Sequence, residues 1–238
     1  MALDPGRLDL ADYRRAEAEL IRFLREQAEA DARLAGMSRD DAAYEGQVAA
    51  ARARAAEALV RLTTLRRLAG LAKVPEAIAW ARDLIEAGQK VVVFGHHREA
   101  LQTLAAALGA PLIIGGQSAD ERQRIVDGFQ AGAYPALVCS IKAGGVGLTL
   151  TAASNVAFVE QDWTPAGMDQ AADRCHRIGQ TDSVTAWTLL IPDTIDEEMA
   201  GLLADKRQVV DAVLDGIEAD SEGGSIVNDL LATYGSRA

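Results

Sequence analysis

Residues 91–116, VVVFGHHREALQTLAAALGAPLIIGG, decide the fold. VVVF (91–94) is an apolar run of strand length; a segment with helical apolar spacing follows to Leu108, and PLIIG is a second apolar run. Strand, helix, strand is the repeating unit of a parallel α/β sheet, because two parallel strands need a crossover that packs on the sheet face. The pattern continues on both sides. Pro75 is expected to open a helix to about Ala87, and Ser118 with Glu121 forms a capping-box pair ahead of a helix whose Ile125, Val126 and Phe129 are core candidates. ALVCS (136–140), NVAFVE (155–160) and VTAWTLLI (184–191) read as further strands, at least five in all. Thr164 and Pro165 mark the N-cap and first residue of a helix expected to reach Arg177.

Upstream, residues 8 to about 70 carry apolar positions at helical spacing (Leu20, Phe23, Leu24, then Leu59, Leu62, Leu65), interrupted near Gly36–Ser38, and no strand pattern. Arg52, Arg54, Arg61, Arg66 and Arg67 stand there against the single acid Glu57, which fits a solvated helix face or one that meets phosphate. Downstream, TIDEEMAGLLADKRQVVDAVLDG reads as an acidic amphipathic helix and SEGG as the start of a loose tail. The 238 residues carry a net charge of -11, but residues 181–238 alone hold 3 Lys/Arg against 12 Asp/Glu. The rest is close to neutral, so a nucleic-acid partner is not excluded. No apolar run approaches membrane-helix length and no signal-peptide layout opens the chain, which predicts an intracellular protein without a membrane partner. Cys139 and Cys175 form no C-x-x-C pair, excluding a disulfide scaffold or zinc ribbon.

Three constellations could carry chemistry. In QAADRCHRIGQ (170–180), a continuous helix would place Gln170, Arg174 and Arg177 within roughly 60° of one another. Two adjacent guanidiniums suit an anion and the charge that develops in phosphoryl transfer, although Asp169 and Asp173 could equally pair with them internally. In SIKAGGVGLTLTAAS (140–154), Gly144, Gly145 and Gly147 allow close backbone approach to a ligand while Ser140, Lys142 and Thr149 supply donors, although tight turns alone would also explain the glycines. Leu150 stands where a dinucleotide fingerprint needs its third Gly, which disfavours a nicotinamide enzyme. His96 and His97 follow a strand at its carboxyl end, where ligands gather in open α/β sheets. No zinc spacing joins them to Cys139, Cys175 or His176, so no metal is expected. Trp163, ending another strand, reads as packing before base stacking.

In order, these segments resemble the second RecA-like lobe of the Swi/Snf family of superfamily-two DNA translocases. VFGHHREAL is similar to motif IV of that family, GGQSADERQRIVDGFQ to the strand-turn-helix after it, SIKAGGVGLTLTAAS to motif V, EQDWTP to motif Va and QAADRCHRIGQ to motif VI. The resemblance covers about residues 73–214, and the His-His pair with GLTLTAAS is closest to the HepA-related, annealing-helicase branch. It departs at Gly115, where Asp is commoner, and at Thr164, where Asn is commoner.

The resemblance implies a RecA-like parallel sheet with helices on both faces at residues 73–193, preceded by a helical protrusion and linker region at 1–72 and followed by an acidic helix and tail at 194–238. It implies that Arg174 and Arg177 are arginine fingers toward ATP held on a first lobe and that Gln170, Gly145 and Gly147 serve the nucleotide-binding side. His96, His97, Ser140, Lys142 and Thr149 would hold the backbone of double-stranded DNA. No G-x-x-x-x-G-K-[ST] and no Asp-Glu-x-His box occurs, so the chain is expected to be the carboxyl half of a larger ATPase. ATP and Mg2+ would then be bound mainly by the absent lobe, and this chain alone would not hydrolyse ATP. The competing reading is a non-catalytic DNA- or protein-binding module that keeps the lobe fold.

Overall fold

In the computed structural model, which describes residues 1–36, 43–143, 147–180, 182–214 and 226–237, the apolar runs pair as a single parallel sheet. Its strands are β1 (Val91–Gly95), β2 (Leu112–Ile113), β3 (Ala136–Ser140), β4 (Asn155–Phe158) and β5 (Thr185–Thr188), in the order β2-β3-β1-β4-β5. The central strand reads apolar throughout because both of its faces are covered. Val92 and Phe94 pack with Leu137, Cys139, Val156 and Phe158 under α4 (Ala119–Gln130) and α5 (Pro165–Ala172). Val91 and Val93 pack on the other face with Val138, Ala157 and Leu189, beneath α3 (Arg98–Leu108) and the second half of α2 (Tyr44–Glu86). This is the α/β arrangement with helices on both faces.

The element ends follow local chemistry. Thr164 caps α5 by accepting from Gly167 N–H, with Pro165 at the first turn, a cap of about 1 kcal/mol. Ser118 accepts from Glu121 N–H at 3.1 Å. The reciprocal half of the capping box gives way to a Gln117 to Glu121 side-chain bond at 3.2 Å. Val126 and Phe129 are buried, with Ile125 packed partly against them.

Three sequence expectations are corrected. Pro75 opens no helix: it lies inside the 43-residue α2, which crosses the expected 72/73 boundary. A proline there removes one backbone hydrogen bond, and burial of Val74 and Ala77 against the sheet holds the helix through it. The helix begun at Thr164 ends at Ala172, well short of Arg177. The segment after SEGG is no loose tail, because Ile226–Ser236 form a helix, α7, with Ile226, Leu230 and Tyr234 buried.

α7 closes a third core with α1 (Ala11–Ala35), α2 and α6 (Ile195–Leu214), built from Leu20, Leu24, Leu62, Leu65, Met199 and Leu230. Each fully buried leucine contributes roughly 2–3 kcal/mol. Two phenols seal this core: Tyr13 and Tyr234 meet hydroxyl to hydroxyl at 3.2 Å, and Tyr13 accepts from Ile195 N–H at 2.8 Å at the start of α6. Burial pushes both phenols up, Tyr234 to about 12 and Tyr13 beyond that. The folded state therefore favours the protonated phenols, and the stability they contribute is present below pH 10 and is lost as pH rises through 10 toward 12. Denaturant titrations are expected to show this alkaline loss, with a clearly smaller loss above pH 10 in Tyr13→Phe.

Candidate functional site

The register of the sheet aligns the carboxyl ends of β3, β1 and β4: Gly95 stands opposite Ser140, and Phe94 opposite both Cys139 and Phe158. The described segments that follow these strands, 96–97, 141–143 with 147–153, and 159–164, therefore emerge at one edge, where strand order switches direction around β1.

At the centre of this edge is a buried carboxylate that sequence reasoning did not single out. Glu160, 4% exposed, accepts from His96 N–H at 2.7 Å and His97 N–H at 2.8 Å through one oxygen, and bonds His97 Nδ1 through the other. Burial by itself would raise this carboxyl; the His97 ring and the two N–H groups outweigh it and bring the pKa down to about 2. The room for Glu160 comes from two glycines. A Cβ on Gly70 of α2 would sit 2.7 Å from its Oε1, and one on Gly95 would sit 3.2 Å from its Oε2.

Beside it, Arg66 of α2 is buried, donates to the Gln161 carbonyl and lies 3.8 Å over the Trp163 ring. Trp163 is thus a packing residue in this structure. Gln161 Nε2 donates to Asp196 C=O at 2.8 Å, and Asp196 in turn forms a 2.8 Å ion pair with the fully buried Lys73 of α2. Three more arginines of the basic stretch find acids: Arg54 with Asp31, Arg61 with Glu57 and Arg67 with Glu99.

Of the sequence-derived site residues, His97 is turned onto Glu160 and His96 is half-buried with Nδ1 unpartnered. Burial lowers His96, and Arg66 and His97 push in the same direction. Ser140 and Thr149 are half-buried, Lys142 is exposed and Gly147 is exposed with φ +56. Gly144 and Gly145 lie outside the described residues. Gly147 and Leu148 face Ala119, Arg122 and Gln123 of α4 across a cavity of about 230 Å³. Arg122, whose Nε is buried without a partner, is a residue the reading missed; Arg122 and Gln123 sit one turn into a capped helix, and that position was the available signal.

Motif 170–180 differs most from expectation. Because α5 ends at Ala172, Gln170, Arg174 and Arg177 share no helix face. Gln170 is exposed on the helix, whereas Arg174 lies in the following turn, only 4% exposed, with Nη1 unpartnered. Burial lowers Arg174, and the like charge of Arg177, which stands in solvent, adds to this. Asp169 is engaged by Arg207 of α6 instead of by motif arginines. Gln180 staples the turn: its amide donates to Ala153 C=O at 2.8 Å and Cys175 C=O at 3.3 Å, while Leu150 N–H donates to Arg174 C=O at 2.9 Å. Motifs V and VI are therefore one hydrogen-bonded unit, with Ile178 fully exposed at its tip. Among the described residues no group of His, Cys, Asp and Glu could hold a metal ion, and no helix is long and apolar enough to cross a membrane.

Residues 74–179 match the helicase conserved C-terminal domain. The chain is 41% identical over 133 residues to the human DNA annealing helicase and endonuclease ZRANB3, a match covering 53% of this chain and 12% of that protein. It is 33% identical over 187 residues to the SWI/SNF-related matrix-associated actin-dependent regulator of chromatin subfamily A-like protein 1 of Drosophila melanogaster, covering 75% of this chain and 24% of the relative. The chain thus spans less than a quarter of either relative's length. Among solved structures, the crystal structure of the C-terminal part of the Fun30 ATPase domain superposes with a TM-score of 0.53 at 27% identity, over 67% of this chain and 51% of that one.

Two substitutions check the site's packing. Helix propensity favours Gly70→Ala, but the Glu160 contact is expected to reverse the sign and cost about 1–3 kcal/mol in urea unfolding. Lys73→Met strands the buried Asp196 charge and is expected to cost about 3–5 kcal/mol, most of it restored in Lys73→Met/Asp196→Leu.

Proposed function

From a helicase conserved C-terminal domain of the Swi/Snf type at residues 74–179, we propose that the chain is the second RecA-like half of an ATP-dependent double-stranded-DNA translocase. Its reading partner is a first RecA-like lobe carrying ATP and Mg2+. Arg177, exposed in the turn after α5, reaches toward the γ-phosphate across the cleft. Arg174 stands close enough for the two like charges to act on one another, and its Nη1 has no partner within the described residues. An anion arriving at Arg177 would relieve the repulsion, which is the chemistry of charge neutralisation in phosphoryl transfer. The exposed Arg177 guanidinium beside the buried, like-charged Arg174 is the observation that carries the reading.

The DNA side lies at the carboxyl edge. Ser140, at the end of β3, Lys142 and Thr149, after it, and the His96–His97 turn, after the adjacent β1, share this edge, with Arg122 and Gln123 facing Gly147 across the small cavity. Such donors meet phosphates without reading bases, so binding is independent of sequence and steeply salt-dependent. The two sides are coupled through the Gln180 staple and the Leu150 to Arg174 bond, by which movement at the nucleotide shifts motif V. The chain on its own lacks the nucleotide-holding residues and is expected not to turn over ATP.

The test is ATP hydrolysis, with and without duplex DNA, by this chain joined to its first lobe. The expected outcome is DNA-stimulated turnover that falls about 10³-fold in Arg177→Ala and in Arg174→Ala. Turnover indifferent to both substitutions would favour a binding module instead. For the chain alone, Lys142→Ala is expected to weaken duplex binding and to lower the salt slope by about one.

A further inference from the structure

The two N–H groups that donate to Glu160 immediately precede α3, where His97 is the N-cap residue and its own side chain makes no cap bond. Helix starts of this kind are satisfied by a capping side chain or by a bound anion. Here the acceptor comes from a different segment, the one after β4, and it is used three times by a single turn. The donors of the 96–97 backbone are therefore already taken by the chain's own carboxylate, and what these two residues offer a phosphate is their side chains. With Nδ1 of His97 committed to Glu160, Nε2 is the ring nitrogen left for it.

We propose that Glu160 is the positioning residue of this edge: it sets the His96–His97 turn and the His97 ring for a DNA phosphate and, through Gly70, ties the long helix α2 to the same turn. The inference rests on the DNA reading above. Glu160 touches no substrate in it. Its link to α2 is steric, since the absence of a Cβ at Gly70 lets the helix backbone close on the carboxylate, and Arg66 one turn earlier fixes the next residue of the strand end, Gln161. Glu160→Gln keeps the volume but puts an amide NH2 where His97 Nδ1 met a charged carboxylate oxygen, a contact open only to the Nε2–H tautomer of His97. The charge-assisted hold on the His97 ring is lost while the fold keeps its shape.

A double-mutant cycle tests this, with affinity for a short fluorescein-labelled duplex read by anisotropy at low salt for the parent chain, Glu160→Gln, His97→Ala and the double variant. Glu160→Gln is expected to weaken binding about tenfold or more, and the double variant to bind no worse than His97→Ala, because Glu160 acts through His97. Parent-like binding by Glu160→Gln, or losses that multiply in the double variant, would overturn the proposal. Amide hydrogen exchange decides the matter independently of DNA and of whether Glu160→Gln folds. The His96 and His97 amides are expected to be protected in the parent and to exchange faster in Gly70→Ala, a substitution in a different element. Unprotected amides in the parent, or protection unmoved by Gly70→Ala, would refute it. If His97→Ala and Lys142→Ala both leave affinity unchanged while the exchange result holds, it is the DNA reading of this edge that fails, and Glu160 remains the anchor of the turn.

Discussion

A carboxylate removed from water remains ionised only if donors surround it, and the donors that Glu160 finds dictate where several elements must stand. Two backbone N–H groups fix the turn after β1, an imidazole fixes the side chain following it, and two glycines fix how near α2 and β1 come. Apolar packing could bring the same layers together at many small offsets. A hydrogen-bonded buried charge tolerates very few, and the carboxyl edge of the sheet inherits that restriction.

The same logic extends along α2. Arg66 and Lys73 are cations on one helix, both buried, and each meets a group from the segment after β4 or the start of α6: the Gln161 carbonyl, the Trp163 face and the Asp196 carboxylate. Buried ion pairs are a weak source of net stability but a strong penalty on misplacement. The helical arm is therefore seated on the lobe in one register, while its outer arginines make exposed pairs with Asp31, Glu57 and Glu99, each worth less than about 1 kcal/mol. Arg174 differs in that its buried Nη1 has no acceptor among the described residues.

Much of this was legible in the residues. The runs at 91–94, 136–140 and 155–158 are strands because β-branched and aromatic residues buried on both faces read as continuous apolar segments, and Thr164-Pro165 announced a helix start by cap chemistry. The ends of helices were less legible. Periodicity carried the helix of 165 on to Arg177, but Gln180 draws the chain back onto Ala153 and Cys175, and this long-range staple overrides local helical preference. Pro75 was read as a beginning because local rules make proline a breaker, while burial of the α2 face on the sheet outweighs the one hydrogen bond it deletes. The acidic end reads as loose because charge dominates its composition, while the burial of Ile226, Leu230 and Tyr234 depends on residues of α1, α2 and α6 far away in sequence.

By itself the sequence determined the parallel α/β class, the order of the motifs and the types of side chain they carry, since those depend on short-range spacing and on chemistry intrinsic to each residue. Only the tertiary structure decided which of those side chains are free to act. His97 is spoken for by Glu160, Arg66 by Trp163 and Asp169 by Arg207, whereas Arg177 and Lys142 remain in solvent. The reason is that pairing depends on distance in space, and residues more than sixty positions apart, such as His97 and Glu160, become neighbours only when β1 and β4 lie side by side.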